Sequence, residues 1–209
     1  MASVGVSNLH IAKLLTDNKD GVTYDTPKKV APSITVGMVP TTNSNNLYGD
    51  DQVVSADTTL GPVELTLNTT DLPAGIEAEM LGHTINEDGV MVSNSQDQAP
   101  YFAVGFSSKQ TDDGKELFVW LLKVKFRVPD SNHQTKGENV EYQTPTIIGS
   151  GIPRTSDGDW RYKVKSGDEG VNQSKIESWF TQVYDKSTAE APASTQTFNT
   201  EEETTDSTI

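Results

Sequence analysis

The stretch 101–128, YFAVGFSSKQTDDGKELFVWLLKVKFRV, decides the fold. Phe102, Val104 and Phe106 recur at every second position, the period of a strand with one buried face. Thr111 to Lys115, TDDGK, is turn material. Phe118, Trp120, Leu122, Val124, Phe126 and Val128 then follow the same two-residue period along a long second strand. Two such runs around a short polar turn predict a long antiparallel β-hairpin over 101–128. The other face of its second strand carries Leu117, Val119 and Leu121, then Lys123, Lys125 and Arg127. The strand is thus apolar on both faces at its start and has one wet, basic face at its end. Two-sided burial has two readings: a sheet held between a core and a helix, or a contact with another subunit.

Working outward toward the C-terminus, Pro129 ends the strand and 130–138 reads as a polar connection. Tyr142 to Ile148 reads as a further strand whose Pro145 favours a sheet edge, broken by Gly149-Ser150-Gly151 and Pro153. Trp160, Tyr162 and Val164 alternate with Arg161, Lys163 and Lys165, a strand with a basic side. Over Gln173 to Tyr184, Ser174 with Glu177 three later fits a capping box, and Ile176, Trp179, Phe180, Val183 and Tyr184 make one apolar helix face. From 185 to 209 the chain is rich in Thr, Ser, Ala and Glu and nearly free of core formers, so it reads as a flexible acidic tail.

Toward the N-terminus, Thr84-Ile85 and Val90 to Val92 flank a tight turn at Asn86 to Gly89. Asp71 to Leu81 predicts a short helix, with Asp71 as cap, Pro73 in the first turn and Gly82 closing it; Gly75 counts against it. Val63, Leu65 and Leu67 alternate as a strand, and so do Ile34, Val36 and Met38 in Ser33 to Val39. Between them 40–62 is polar, turn-rich and without apolar period, and reads as a long loop. Val22 to Tyr24 follows a turn at Asp20-Gly21, and Val4 to Leu15 has the mixed pattern of a strand with a bulge. The element count predicts a mostly β domain over 1–184 with two short helices.

The chain has 209 residues and no cysteine, which removes disulfides, thiol nucleophiles and thiolate metal sites. Its first residues, MASVGVSNLHIAKLL, lack a basic head and a long apolar run, so the expectation is a soluble, cytosolic product without a membrane span. Formal net charge is −14. From Val30 to Ser108 there is no Lys or Arg, while ten Asp and Glu residues fall there. Such a surface repels phosphate backbones, which argues against clamping nucleic acid and is compatible with a wall along which it slides.

Chemistry finds little support in the pattern. His10, His83 and His133 fall in separate elements without metal-ligand spacing. Glu77 and Glu79 stand two apart on the expected helix and do not share a face. Gly149-Ser150-Gly151 lacks the Lys of a phosphate loop and the spacing of a nucleophile elbow. No enzyme activity, cofactor or metal is expected. The basic faces at Lys123, Lys125 and Arg127 and at Arg161, Lys163 and Lys165 can pair with the acidic segment, within one chain or between copies.

The motifs VGVSNLHIAKL (4–14), GVTYDTPKKVA (21–31), LGHTINEDGVMV (81–92), APYFAVGF (99–106), KVKFRVP (123–129), YQTPTI (142–147) and WFTQVY (179–184) together resemble the major tail (tail tube) proteins of siphophages of Gram-positive bacteria. The resemblance implies a β-sandwich or barrel with one or two flanking short helices. It further implies hexameric rings stacked head to tail into a hollow tube with an acidic lumen, through which the genome passes. Partners would be further copies of the chain, a tape measure protein, and tail terminator and distal tail proteins. In such a tube Asp50, Asp51, Asp57, Glu64, Asp71 and Glu77 are candidates to face the lumen. Leu117, Val119, Leu121, Lys123, Lys125 and Arg127 are candidates for contact between subunits, and 40–62 and 101–128 for bridging neighbours. A ring-capping tail-completion protein and a virion decoration or binding module are the alternatives. The 185–209 tail is not part of the family pattern.

Overall fold

A computed structural model describes residues 3–49, 51–111, 114–130, 135 and 144–186. The chain runs β1 (Ser3–Asn18), β2 (Gly21–Tyr24), β3 (Lys28–Lys29), β4 (Ser33–Gly49), β5 (Gln52–Thr69), α1 (Ala74–Leu81), β6 (Thr84–Ile85), β7 (Met91–Val92), β8 (Tyr101–Gln110), β9 (Glu116–Phe126), β10 (Thr146–Gly151), β11 (Arg161–Lys165) and α2 (Gln173–Glu177). It is mostly β with two short helices, as the sequence predicts. Among the described residues, nine strands form one sheet in the order β2-β1-β8-β9-β10-β5-β4, with β3 on β1 and β11 on β9; β6 and β7 form a separate small hairpin. Every pairing is antiparallel. Because β1 also comes against β4, the sheet curls toward closure around its main core.

The 101–128 hairpin is the centre of the molecule. On one face, Phe102, Val104, Phe106, Val119, Leu121, Val124 and Phe126 pack with Leu9, Ile11, Leu65, Leu67 and Ile147, and α1 adds Met80 and Leu81. On the other, Ala103, Phe118, Trp120 and Leu122 pack under Trp179, Ile176, Phe180 and Tyr184 from the C-terminal segment. The two-sided burial of β9 is therefore satisfied within the chain, by a core below and a helical segment above. The single stripe expected from Phe118 to Val128 is not continuous. Phe102 faces Val124 while Val104 faces Leu121, so Ala103 stands opposite both Leu122 and Lys123. That bulge inserts one residue and moves Val124 and Phe126 to the main-core side. Val128 lies past the strand and is exposed.

Glycines allow two close approaches. Gly105 is paired with Trp120, and a Cβ there would lie 2.7 Å from the indole ring. At Gly149 a Cβ would meet Val124 at 2.7 Å and Phe126 at 3.0 Å. For this reason Gly149-Ser150-Gly151 continues β10 where the sequence suggested a break. β10 sits between β5 and β9 and is not an edge, since Pro145 precedes its first residue and only its carbonyl is used, accepting from Thr69 N. The expected strand start at Tyr142 lies outside the described residues.

Both helices differ from expectation at their ends. α1 begins at Ala74 with Pro73 as its uncapped N-terminal residue; Asp71 instead accepts from Leu72 N just outside it. Gly82, at φ 76°, closes the helix as predicted. α2 is capped by Asn172, whose side chain accepts from Ser174 N, and ends at Glu177; Thr181 and Ser178 turns carry the remaining apolar residues. Ser174 thus lies two residues inside the cap position assigned to it, and the apolar face over 176–184 is kept without a continuous helix.

Candidate assembly surface

The largest departure from the sequence reading is at 40–62. It is no loop: β4 and β5 pair from Ser33/Thr69 out to Gly49/Gln52. Beyond an irregularity where Thr42 meets Leu60, the two strands leave the sheet and continue as a free-standing hairpin arm. All residues from Thr41 to Leu60 whose side chains are described are exposed. With no core on either face, the strands need no apolar alternation, and Thr, Asn and Ser suit a hairpin held by backbone bonds. At the far end Leu47, Tyr48, Val53 and Val54 are each more than half exposed, next to a turn containing Asp51 at φ 61°. Asp50 lies outside the described residues.

A second feature is an open groove of about 520 Å³ where the curled sheet fails to close. Its floor is the rim of the main core: Val6 of β1, Val36 and Met38 of β4, Phe106 of β8, and Leu117 and Val119 of β9. Its side is β11, where Arg161 and Lys163 pair opposite Leu121 and Val119 and so extend the core face outward as a basic wall. Among the described residues no acidic one lines it, and the outer edges of β4 and β11 make no strand pairing along this opening.

The third feature is the base of the arm. Glu64, Lys125 and Arg127 share a shallow depression with Thr41, Pro62 and Ile148 to Ser150. Glu64 and Lys125 both pair across Ser150, which places them on the outer face of the sheet. Lys125 also lies 5.7 Å from the ring centre of Tyr101.

Behind the sheet, an ionic network fastens the C-terminal segment. Arg154, 2% exposed, binds Asp157 at 2.6 Å, donates to Tyr162 Oη at 2.6 Å, and lies within 4 Å of Asp159 and Asp185. Lys186 closes on Asp157 and Asp159. Burial opposes the charge on Arg154, but Asp157 together with Tyr24 and Tyr162 outweighs it and raises the guanidinium pKa. The first two residues assigned to the tail, Asp185 and Lys186, are therefore engaged with the body; 187–209 lie outside the described residues. A second clamp joins Lys123 Nζ to Asp17 at 2.5 Å, and Asp17 also accepts from Thr155 N and Ser156 N. Burial pushes the Asp17 carboxyl up, and Lys123 with the two backbone donors overcomes this, holding it at about 2.

The candidate residues thus separate. Val119 and Leu121 are 1% exposed inside the chain's own core, and Leu117 packs against it from the groove. Lys123 is spent on Asp17. This leaves Lys125 and Arg127 as the exposed members of that set. Among the acids, Asp51 and Asp57 lie on the arm, Glu64 on the sheet face at its base, Asp71 before α1 and Glu77 half-buried within it. They lie on three separate parts of the subunit. The sequence reading missed the groove, which joins residues far apart in the chain, and the Arg154 network, whose Arg154, Asp157, Asp159 and Tyr162 are close in sequence but form no apolar period and close on the distant Asp185 and Lys186 only in the fold; the basic side of β11 was the one available signal for the groove.

The histidines have ordinary partners. His10 stacks on Phe180 with ring centres 4.7 Å apart, and His83 Nδ1 meets Asp97 Oδ2 at 2.6 Å. His133 lies outside the described residues. Among the described residues no group of His, Cys, Asp or Glu is arranged to hold a metal ion, and no helix is long and apolar enough to cross a membrane.

The surfaces that stand out are therefore an arm, a groove and a charged sheet face. No curated protein matches the chain significantly. A family model described as phage tail tube protein matches residues 37–170, which include the arm, the central hairpin and β11. That match covers more than half of the sequence, and the chain belongs to the phage tail tube protein family.

Proposed function

We propose that this chain is the repeating, non-enzymatic subunit of the tube: copies close into hexameric rings, the rings stack head to tail, and the hollow product conducts the genome. The observation that carries this reading is the arm. A two-stranded hairpin exposed on both faces is marginal in water on its own. It gains stability when another surface covers it, and a subunit that projects such an arm is built to bind a neighbour.

Charge supports the conduit. The chain is strongly acidic overall, and a negative bore lets a polyanion pass without sites at which it sticks. The acids on the body, Glu64, Asp71 and Glu77, are the candidates for that wall; Asp51 and Asp57 extend away on the arm. Assembly would take place in the host cytoplasm around a tape measure protein, with terminator and distal tail proteins at the ends.

Electron microscopy of the assembled full-length chain tests this. The expected particle is a hollow tube of stacked six-subunit rings. A solid filament, or a single ring per virion as a ring-capping protein would give, overturns it.

A further inference from the structure

We infer that the groove bounded by β1, β4, β9 and β11 is the receptor for the arm tip of a second copy of this chain. The inference rests on the tube reading only in needing copies that meet.

Shape and chemistry match on both sides. The groove offers an apolar floor of Val6, Val36, Met38 and Leu117 and a basic wall of Arg161 and Lys163. The arm tip offers Leu47, Tyr48, Val53 and Val54 around Asp51, and from Thr41 to Leu60 the arm has no Lys or Arg. An apolar plug carrying a carboxylate thus faces an apolar socket with cationic sides, which supplies burial and charge complementarity in one contact. About 520 Å³ is room for several side chains, in the range of well-formed binding clefts.

The tip cannot serve its own groove. Val36 and Met38 of the groove and Tyr48 of the tip lie on the same strand, β4, which stays paired with β5 out to Gly49. From Val36 to Tyr48 a strand rising about 3.3 Å per residue spans up to about 40 Å. A paired hairpin does not fold back through that distance, so the occupant comes from another molecule. Socket and plug are different patches, so in head-to-tail copies the contact is heterologous: every copy fills one neighbour and is filled by another, and growth continues past a dimer, whereas reciprocal exchange between two copies would close a dimer and give no ladder. The same length bounds the offset between successive copies to about 40 Å or less.

The absence of cysteine gives a clean test. In the full chain carrying Val53→Cys and Met38→Cys together, mild oxidation of assembled material should give a ladder of covalent oligomers that collapses on reduction, since only a seated tip brings the two sulfurs within bonding distance. Either single variant should give nothing beyond dimers. In a second arm of the experiment, Arg161→Glu with Lys163→Glu should slow ladder formation at least about tenfold, and adding Asp51→Lys should restore part of it. Tyr48→Ser with Val54→Ser, on an arm that contributes nothing to the core, should abolish the ladder in a subunit that still folds. A missing ladder in material that micrographs show to be tubular overturns the groove assignment and leaves the tube. A ladder in material that is not tubular keeps the groove and overturns the tube.

Discussion

The molecule contains two long antiparallel hairpins that differ in what covers them. β8–β9 has a core on each face, and its key side chains, Phe102, Val104, Trp120, Leu121, Leu122 and Val124, are all within 1% of complete burial. The outer part of β4–β5 has nothing on either face, and its apolar residues, Leu47, Tyr48, Val53 and Val54, are at least 53% exposed. Backbone pairing is common to both. The first hairpin is stabilised by the burial that surrounds it, about 25 cal/mol for each Å² removed from water, while the second lacks that term until something binds it. One chain thus buries one of its long hairpins on both faces and leaves the other uncovered.

The sharpest way to test that division is to truncate one aromatic in each hairpin. Trp120 stacks over Gly105, bonds Trp179 O through Nε1 at 3.0 Å and is fully buried, so Trp120→Ala leaves a large cavity and an orphaned carbonyl. The expected loss is about 4 kcal/mol of subunit stability by chemical denaturation. A loss below about 1 kcal/mol would mean that the second core, under the C-terminal segment, is not part of the cooperative unit.

A somewhat smaller effect is expected where the buried hairpin meets charge. Lys123 occupies the bulge of β9 and is nearly buried with Asp17, so Asp17→Asn leaves an ammonium with little compensation and should cost about 3 kcal/mol. The pH dependence has a definite sign. Asp17 is held at about 2 in the folded chain against 3.8 ordinarily, so its contribution is present in full above pH 4 and is lost as pH falls through 4 toward 2. Denaturation midpoints of the parent subunit should therefore fall over that window more than those of Asp17→Asn. Parallel curves would remove the clamp from the account.

How far each region was legible in the sequence follows the same division. A hairpin buried on both faces writes its burial as apolar residues, so 101–128 could be read from its two-residue apolar period and the polar turn between its strands. What that reading lost was local: the bulge at Leu122-Lys123 exchanges the two faces without changing a single residue type, and Val124 looks the same on either side of it. The arm lost more, because a strand exposed on both faces obeys no period, and PTTNSNNLYGDD differs little from a loop in composition. In β10, Gly149, which reads as part of a break, is required by the Val124 and Phe126 side chains lying across it. The assembly surfaces were the least legible. The groove brings β1, β4, β8, β9 and β11 to one place, and only the alternation of Arg161 and Lys163 with Tyr162 hinted at a charged wall.

The smallest effect on the subunit, and the most informative about the arm, should come from changes at its tip. Tyr48→Ser removes a side chain that is 66% exposed and opposes only Val53 across the hairpin, so the free subunit should keep its stability to within about 0.5 kcal/mol. Amide exchange then separates a hairpin that is merely present from one that is covered. In the free subunit the amides of β8–β9 can exchange only with global unfolding, whereas those of Thr42 to Thr59 open locally, since no packed side chain must move to release them. In assembled material of the parent chain the same arm amides should become protected, because a seated tip ties local opening to dissociation from the neighbour. Tyr48→Ser should leave the free-subunit pattern unaltered and reduce that protection. Were the arm amides as protected in the free subunit as those of β8–β9, the arm would be stable by itself, and the argument that its exposed faces call for a partner would fail.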